Sequence, residues 1–189
     1  PDDGERASPG RSGTTTFMRT PVVYRMAVDV ALVSDTHVPT RAPAIPEWVE
    51  ERIRDADHTI HAGDFDTAEA FERVVTLARG LTAVRGNTDR GTDLPEVATV
   101  ERAGVTFVVT HGAGSRRGYE RRVANTVRSH GGPDAVGVAG HTHEPTDDRI
   151  EGVRLVNPGS ATGATPARET TMALATVEDG DVSVEFLRE

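Results

Sequence analysis

The sequence predicts a layered α/β fold in which two sheets pack together and helices flank them. Three observations predict it. Helical and strand patterns alternate over the first half of the chain, strand patterns dominate the second half, and polar residues of metal-ligand type recur just past the carboxyl ends of five predicted strands.

Composition bounds the reading. With 189 residues and 36% hydrophobic content the chain can bury a core without staples, and no linker or repeat asks for a second domain. Residues 26–189 are therefore expected to form one domain. Cys is absent, which excludes disulfides and thiolate metal sites. The apolar runs are too short to cross a bilayer, so a cytoplasmic protein without membrane partners is expected. Acidic residues number 30 against 21 basic ones, every one of them Arg, for a formal charge of -9. Such a Lys-free acidic surface fits a halophilic archaeon, where salt screens the self-repulsion; drift in a GC-rich genome produces the same exchange. No basic stripe follows a nucleic-acid backbone, which argues against sequence-independent DNA binding.

The elements follow in order. Residues 1–25 are rich in Gly, Ser, Thr, Pro and Asp and lack both an apolar period and a signal-peptide core. They read as a disordered extension, or as sequence upstream of a true initiator at Met26. Ala27 to Ser34 is a β-branched strand that runs into Asp35-Thr36-His37. Pro46 suits the first turn of a helix carrying Trp48, Val49, Ile53 and Ala56 inward. The strand Thr59 to Ala62 ends in Gly63-Asp64, where glycine permits a tight turn. Thr67 caps a helix whose Ala70, Phe71, Val74, Val75 and Ala78 are expected in the core. Leu81 to Arg85 is a strand that delivers Gly86-Asn87-Thr88-Asp89. Val97 to Arg102 and Val105 to Thr110 form a strand pair turning at Ala103-Gly104 and ending in His111-Gly112. Gly118 to Ser129 is a helix with Tyr119, Val123 and Val127 inward, stopped by Gly131-Gly132-Pro133. Ala135 to Ala139 is a strand leading to Gly140-His141-Thr142-His143. Arg149 to Val156 turns at Glu151-Gly152, and Thr171 to Val177 pairs with Val182 to Leu187.

Taken singly, each polar motif is ordinary: an Asp capping a turn, an Asn tolerant of left-handed backbone, two histidines in a loop. Taken together they are not, because ligands in open α/β sheets bind beyond the carboxyl ends of the strands, where these residues converge if the strands are neighbours. Alternation in extended backbone would place His141 and His143, and likewise Asp35 and His37, on a common side. Asp35, His37, Asp64, Asn87, His111, His141 and His143 offer four imidazoles, two carboxylates and an amide, a set suited to two divalent ions of borderline hardness. Mn is the leading choice, with Zn, Fe, Ni and Co also compatible. Two such ions about 3.5–4 Å apart bridge a water, lower its pKa to about 7 and clamp both oxygens of an in-line displacement, which points to hydrolysis at phosphorus.

These motifs, in this order, resemble those of calcineurin-like metallophosphoesterases, and in particular the small YfcE-type phosphodiesterases. The resemblance spans Ala27 to the C-terminus and rests on Asp35-x-His37, Gly63-Asp64, Gly86-Asn87-x-Asp89, His111-Gly112 and Gly140-His141-x-His143. It implies a four-layer αββα sandwich of two mixed sheets flanked by helices, and phosphodiester hydrolysis by a metal-bound water. It further implies that Asp35, His37 and His143 hold one metal, that Asn87, His111 and His141 hold the other, and that Asp64 bridges. Asp64, Asn87 and His111 are then the expected catalytic residues. Many relatives carry a His after the Asn that assists the leaving group; here Thr88 stands there. Losing general acid help of about 10²- to 10⁴-fold favours diesters with good leaving groups over alkyl monoesters.

Other residues are weighed beside these. Asn87, Arg116 and Arg117 are candidate phosphate contacts, although an Arg pair at a helix start is ordinarily solvated. Asp89 is expected to support the backbone around Asn87. Asn157-Pro158-Gly159-Ser160 resembles a family loop near the site, and its physics requires only a turn. His58, His61 and His130 match no metal motif. A protein-binding scaffold on the same fold, a nuclease and a homo-oligomer stay open as alternatives; the full ligand set argues against the first and the absent basic groove against the second.

Overall fold

The computed structural model describes residues 27–189, so the readings of residues 1–25 and of Met26 lie outside the described residues. The first half alternates: β1 (Val28–Val33), α1 (Glu47–Asp55), β2 (His58–His61), α2 (Ala68–Leu77) and β3 (Leu81–Ala83). Then follow β4 (Val97–Arg102), β5 (Val105–Thr110), α3 (Tyr119–Gly131), β6 (Val136–Ala139), β7 (Thr146–Ile150), β8 (Val153–Asn157), β9 (Thr171–Glu178) and β10 (Asp181–Arg188). They build two five-stranded sheets, in the orders β10-β9-β1-β2-β3 and β4-β5-β6-β8-β7. Both are mixed. β1, β2 and β3 run parallel in one sheet, β5, β6 and β8 run parallel in the other, and the outer pairs are antiparallel.

Side-chain alternation along the strands makes the layers. Val30 and Leu32 of β1 point between the sheets, where they join Ile60, Phe107, Val109, Val138, Val156 and Ala175 in the central core. Ala31 and Val33 point the other way and pack under Val49 and Ile53 of α1 and Val74 and Leu77 of α2. Val108 and Leu155 of the second sheet are covered by Val123, Ala124 and Val127 of α3. The result is the expected αββα sandwich, with β1 and β6 central in their sheets because apolar residues occupy both of their faces.

Local signals explain the helix ends. Thr67 accepts a hydrogen bond from the Ala70 N–H at 3.2 Å and caps α2. Pro46 takes the cap position before α1 rather than a place inside its first turn. Glu50 of α1 ties the two helices together by receiving Arg73 Nε at 2.8 Å. Three details differ from expectation. Val75 is 42% exposed, because the inward stripe of α2 is Ala70-Val74-Leu77 and Val75 falls beside it. Helix α3 continues to Gly131. Strand β7 begins at Thr146 because its backbone pairs with β8, although its exposed Asp147 and Asp148 show no apolar alternation.

Candidate metal centre

The parallel strands of both sheets end at the same margin of the sandwich, and their carboxyl ends deliver the candidate residues. Asp35, His37, Asp64, His111 and His143 are buried there, at most 5% exposed. Asp35, His37 and His143 bring ligand atoms within 4.8 Å of one another, and so do Asp35, Asp64 and His111. Asp64 Oδ2 lies between the two sets, 3.5 Å from His37 Nε2 and 3.4 Å from His111 Nε2. Asn87 joins through its Oδ1, 3.1 Å from His111 Nε2. His141 joins through its main chain, whose N–H donates to Asp35 Oδ2 at 3.0 Å, while its ring lies edge-on to that of His111 at 5.2 Å.

The backbone that achieves this is not extended. Asp35 (φ 53°), His37 (φ 48°), Asp64 (φ 62°), His141 (φ 73°) and His143 (φ 61°) all lie in the left-handed region, so strand alternation is not what brings each pair together. Sharp turns at the strand ends fold the side chains back instead, at roughly 1–2 kcal/mol per residue. Close approach of neighbouring backbone requires glycine here: a Cβ on Gly63 would lie 2.6 Å from Gly86 N, and one on Gly140 would lie 2.6 Å from Asp35 Oδ2.

Hydrogen bonds set which nitrogen of each ring faces the centre. His111 Nδ1 donates to the Ala62 carbonyl, His143 Nδ1 to the Ala164 carbonyl and His141 Nε2 to the Gly114 carbonyl, each at 2.8 Å. His37 Nδ1 meets Asp66 Oδ1 at 2.9 Å. A carbonyl only accepts, so the proton sits on the bonded nitrogen and the opposite one carries a lone pair in the neutral ring. In their neutral forms His37 Nε2 and His143 Nε2 would oppose two lone pairs across 3.3 Å. That contact needs a positive species to hold it. With ligand bonds of about 2.1 Å, neighbouring donors around one ion lie roughly 3.0–3.4 Å apart, so a divalent cation fits.

The charge balance agrees. Burial alone would lower His143 and His111, yet the Asp35 carboxylate 3.1 Å from His143, and Asp64 with Asp35 beside His111, raise both above the ordinary imidazole value. Burial would raise Asp64, but His111, the Thr88 N–H at 2.9 Å and the His37 ring outweigh it and hold the carboxyl well below its usual range.

The profile of the calcineurin-like phosphoesterase superfamily domain matches residues 28–180. The chain belongs to this superfamily. A probable metallophosphoesterase of Methanothermobacter thermautotrophicus is 35% identical over 138 residues, covering 70% of this chain and 77% of the relative. Another from Methanocaldococcus jannaschii is 30% identical over 176 residues, covering 93% and 88%. Among solved structures, a single mutant of Vps29 from Entamoeba histolytica is 26% identical with a TM-score of 0.62, covering 85% of this chain and 99% of its own. The phosphoesterase fold is thus shared by metallophosphoesterases and by Vps29.

Around the phosphoesterase centre, Asp66 is a residue that sequence reasoning does not single out, Tyr119 is expected there only as an inward helix residue, and the Asn157 to Ser160 loop only by its resemblance to a family loop near the site. Asp66 receives His37 together with the hydroxyls of Thr40 and Thr88. Tyr119 donates to the Gly140 carbonyl at 2.6 Å, and Asn157 Nδ2 donates to the same carbonyl at 3.0 Å and to Thr142 Oγ1 at 2.9 Å. Ser160 Oγ donates to the Asp35 carbonyl at 2.7 Å. The loop after β8 therefore braces two of the turns that carry candidate ligands. Arg116 is occupied, donating to Glu144 at 3.1 Å and to the Thr142 carbonyl at 2.7 Å, and Arg117 beside it is exposed. His61 packs on Phe65 and accepts the Gly63 N–H at 3.1 Å, and burial first, then His111, pushes it down to about 3. His130 lies at the end of α3, away from the centre.

Proposed function

We propose that the chain is a phosphodiesterase that works with two divalent transition-metal ions. Asp35, His37 and His143 would hold one, Asn87, His111 and His141 the other, with Asp64 between them. The observation that carries this reading is the set of three imidazoles, His37, His111 and His143, each with Nδ1 tied to protein and Nε2 turned toward a buried carboxylate, Asp35 or Asp64. When bound, such ions polarise phosphoryl oxygens and make water acidic enough to ionise near neutral pH.

The chain's own residues then orient and exclude. Asp66 fixes the His37 ring, Asp89 fixes the turn bearing Asp64, and Asn87, exposed at the rim, meets the substrate phosphate. Thr88 stands where a leaving-group acid would be useful, but its hydroxyl donates to Asp66 at 2.5 Å and its N–H to Asp64. A leaving oxygen gains no proton from that position. Substrates whose leaving groups depart unprotonated are therefore favoured, which supports diesters of acidic alcohols over alkyl monoesters. A pure scaffold role has weaker support, because the donor set is complete and Val75 is the one large hydrophobic exposed among the described residues.

The test is a metal screen in molar salt with a chromogenic phosphodiester and the matching monoester, on the native chain and on Asp64→Asn. Diester turnover should require added transition metal and fall at least about 100-fold in the variant. Undiminished turnover in chelator would overturn the proposal.

A further inference from the structure

Two grooves open on either side of Asn87. One, of about 430 Å³, runs past His111 between Arg85, Glu96 and Arg122. The other, of about 760 Å³, runs past Thr88 between Thr40, Glu69 and Arg90. A monoester has one organic arm and a diester two, so a phosphate held at Asn87 would send one arm into each groove.

The linings say what kind of arm fits. Among the described residues no Phe, Tyr or Trp lines either groove, so a nucleobase finds no ring to stack on, and no Leu, Ile or Met lines them for an acyl chain to lie along. Nor is either groove built for a second phosphate. Arg85 is paired with Glu96 at 2.5 Å, and Arg122 Nη2 is spread over the carbonyls of Gly112, Ala113 and Ser115 at 3.1–3.2 Å. Arg90 shares its groove with the carboxylates of Asp66 and Glu69, and Asp89 borders both. Among the described residues three guanidiniums thus face four carboxylates across the two grooves, which leaves no excess positive charge there for an anionic arm. What remains is a supply of mixed donors and acceptors: Thr110, Thr126 and the Arg85–Glu96 pair on one side, Thr40, Thr67 and Arg90 on the other. A carboxylate paired with a guanidinium presents acceptor and donor side by side, the pattern that vicinal hydroxyls match.

We infer that the substrate is a phosphodiester between uncharged, hydroxyl-bearing arms of glycerol or sugar type, with Glu96 and Glu69 as the residues that reject an additional phosphate. This rests on the phosphodiesterase reading and deepens it.

Three mixed p-nitrophenyl diesters test it, with glyceryl, phosphoglyceryl and octyl as the second arm, on the metal-loaded native chain and on the Glu96→Gln, Glu69→Gln double variant. The glyceryl diester should lead both others in kcat/KM by on the order of tenfold, mainly through KM, since a dianionic arm meets like charge at short range. In the double variant the gap between glyceryl and phosphoglyceryl should narrow to about threefold or less, as removing two like charges returns part of that repulsion. A phosphoglyceryl or octyl arm that equals the glyceryl arm overturns the inference, and so does a ratio that the double variant leaves unmoved. If no diester is turned over with any metal, the enzymatic reading fails separately. Arm recognition is then read by adding bis(glyceryl) phosphate to the metal-free protein and following amide NMR shifts. Shifts at Thr110 and Thr126 and at Thr67 and Gly91 sustain the inference, and their absence overturns it.

Discussion

Asp89 offers a test of how the centre is held, separate from the residues proposed to bind metal. Its carboxylate is the acceptor for four backbone donors. Oδ1 receives Phe65 N–H at 2.5 Å and Asp66 N–H at 2.9 Å, while Oδ2 receives Asp64 N–H at 3.0 Å and Gly86 N–H at 2.7 Å. One side chain thus joins the turns after β2 and β3. In Asp89→Asn one oxygen survives, but the amide nitrogen that replaces the other faces two N–H donors. Two hydrogen bonds to a charged acceptor are lost, at about 1.5–3 kcal/mol each, and water recovers part because the group is only half-buried. A net loss of about 3 kcal/mol follows. It is a large share of the roughly 5–15 kcal/mol that holds a domain together, yet small enough to leave the fold populated. With a urea m-value of about 2 kcal/mol/M, the unfolding midpoint should fall by about 1.5 M. The measurement is made in chelator at fixed high salt, so that metal affinity does not contribute. A midpoint within about 0.3 M of the native value, at unchanged m, would refute the claim that Asp89 organises both turns.

Three further outcomes follow from the same geometry. Asp66→Ala should weaken transition-metal affinity by about 10- to 100-fold, because the His37 ring loses the carboxylate that orients it; unchanged titration by calorimetry would count against this. Since carboxylates raise His111 and His143 in the metal-free fold, a metal must displace protons from neutral-seeking rings, so apparent affinity should fall as pH drops through the raised imidazole range above 6.5, with proton release seen as a buffer-dependent heat. His58 sits at the start of β2, where burial first and then Arg102 push it down to about 4; Arg102 Nη2 donates to its Nδ1 at 2.7 Å. A folded value below the unfolded one means that the unfolded chain binds the extra proton. The His58 contribution to stability is therefore full above about pH 6.5 and lost between there and about pH 4. The stability gap between the native chain and His58→Gln should close over that window, and a gap independent of pH would show that His58 does not stay neutral.

Much of this architecture is legible in the sequence because it is written in local periods. The alternation Val30-Ala31-Leu32-Val33 does divide β1 between the central core and the helix layer, and the strand ends do deliver Asp35, His37, Asp64, Asn87, His111, His141 and His143 to one margin. What the sequence hides is non-local. Asp89 is expected to support the backbone around Asn87 and does so through the Gly86 N–H, but its hold on residues 64–66 appears only when they are folded against it. Asp66 and Tyr119 act on residues far away in the chain through groups that carry no sequence signature, and the loop Asn157 to Ser160, legible as a turn resembling a family loop near the site, reveals its bonds to Gly140 and Asp35 only in the fold. Val75 differs for a simpler reason: the inward stripe of α2 is centred on Ala70, Val74 and Leu77, and Val75 lies about 100° round the helix from Val74 on the side away from that stripe.

The left-handed backbone at the centre shows how a correct grouping can follow from the wrong local geometry. Residues two apart in a strand share a side, but Asp35 and His37 bring their ligand atoms together through positive φ angles, and His141 and His143, also at positive φ, send their rings to His111 and His37 respectively. Five such residues together cost on the order of 5–10 kcal/mol, comparable with the stability of a whole domain. Local preference does not produce this cluster; tertiary hydrogen bonds impose it. The His37 N–H donates to the Asp64 carbonyl at 3.0 Å, the Asp35 N–H to the Gly63 carbonyl at 3.0 Å and the His141 N–H to the Asp35 carboxylate. Each turn is thus held by a neighbour whose own turn depends on it. Strain held this way keeps donors pointed inward before any cation arrives, so binding need not reorganise the backbone.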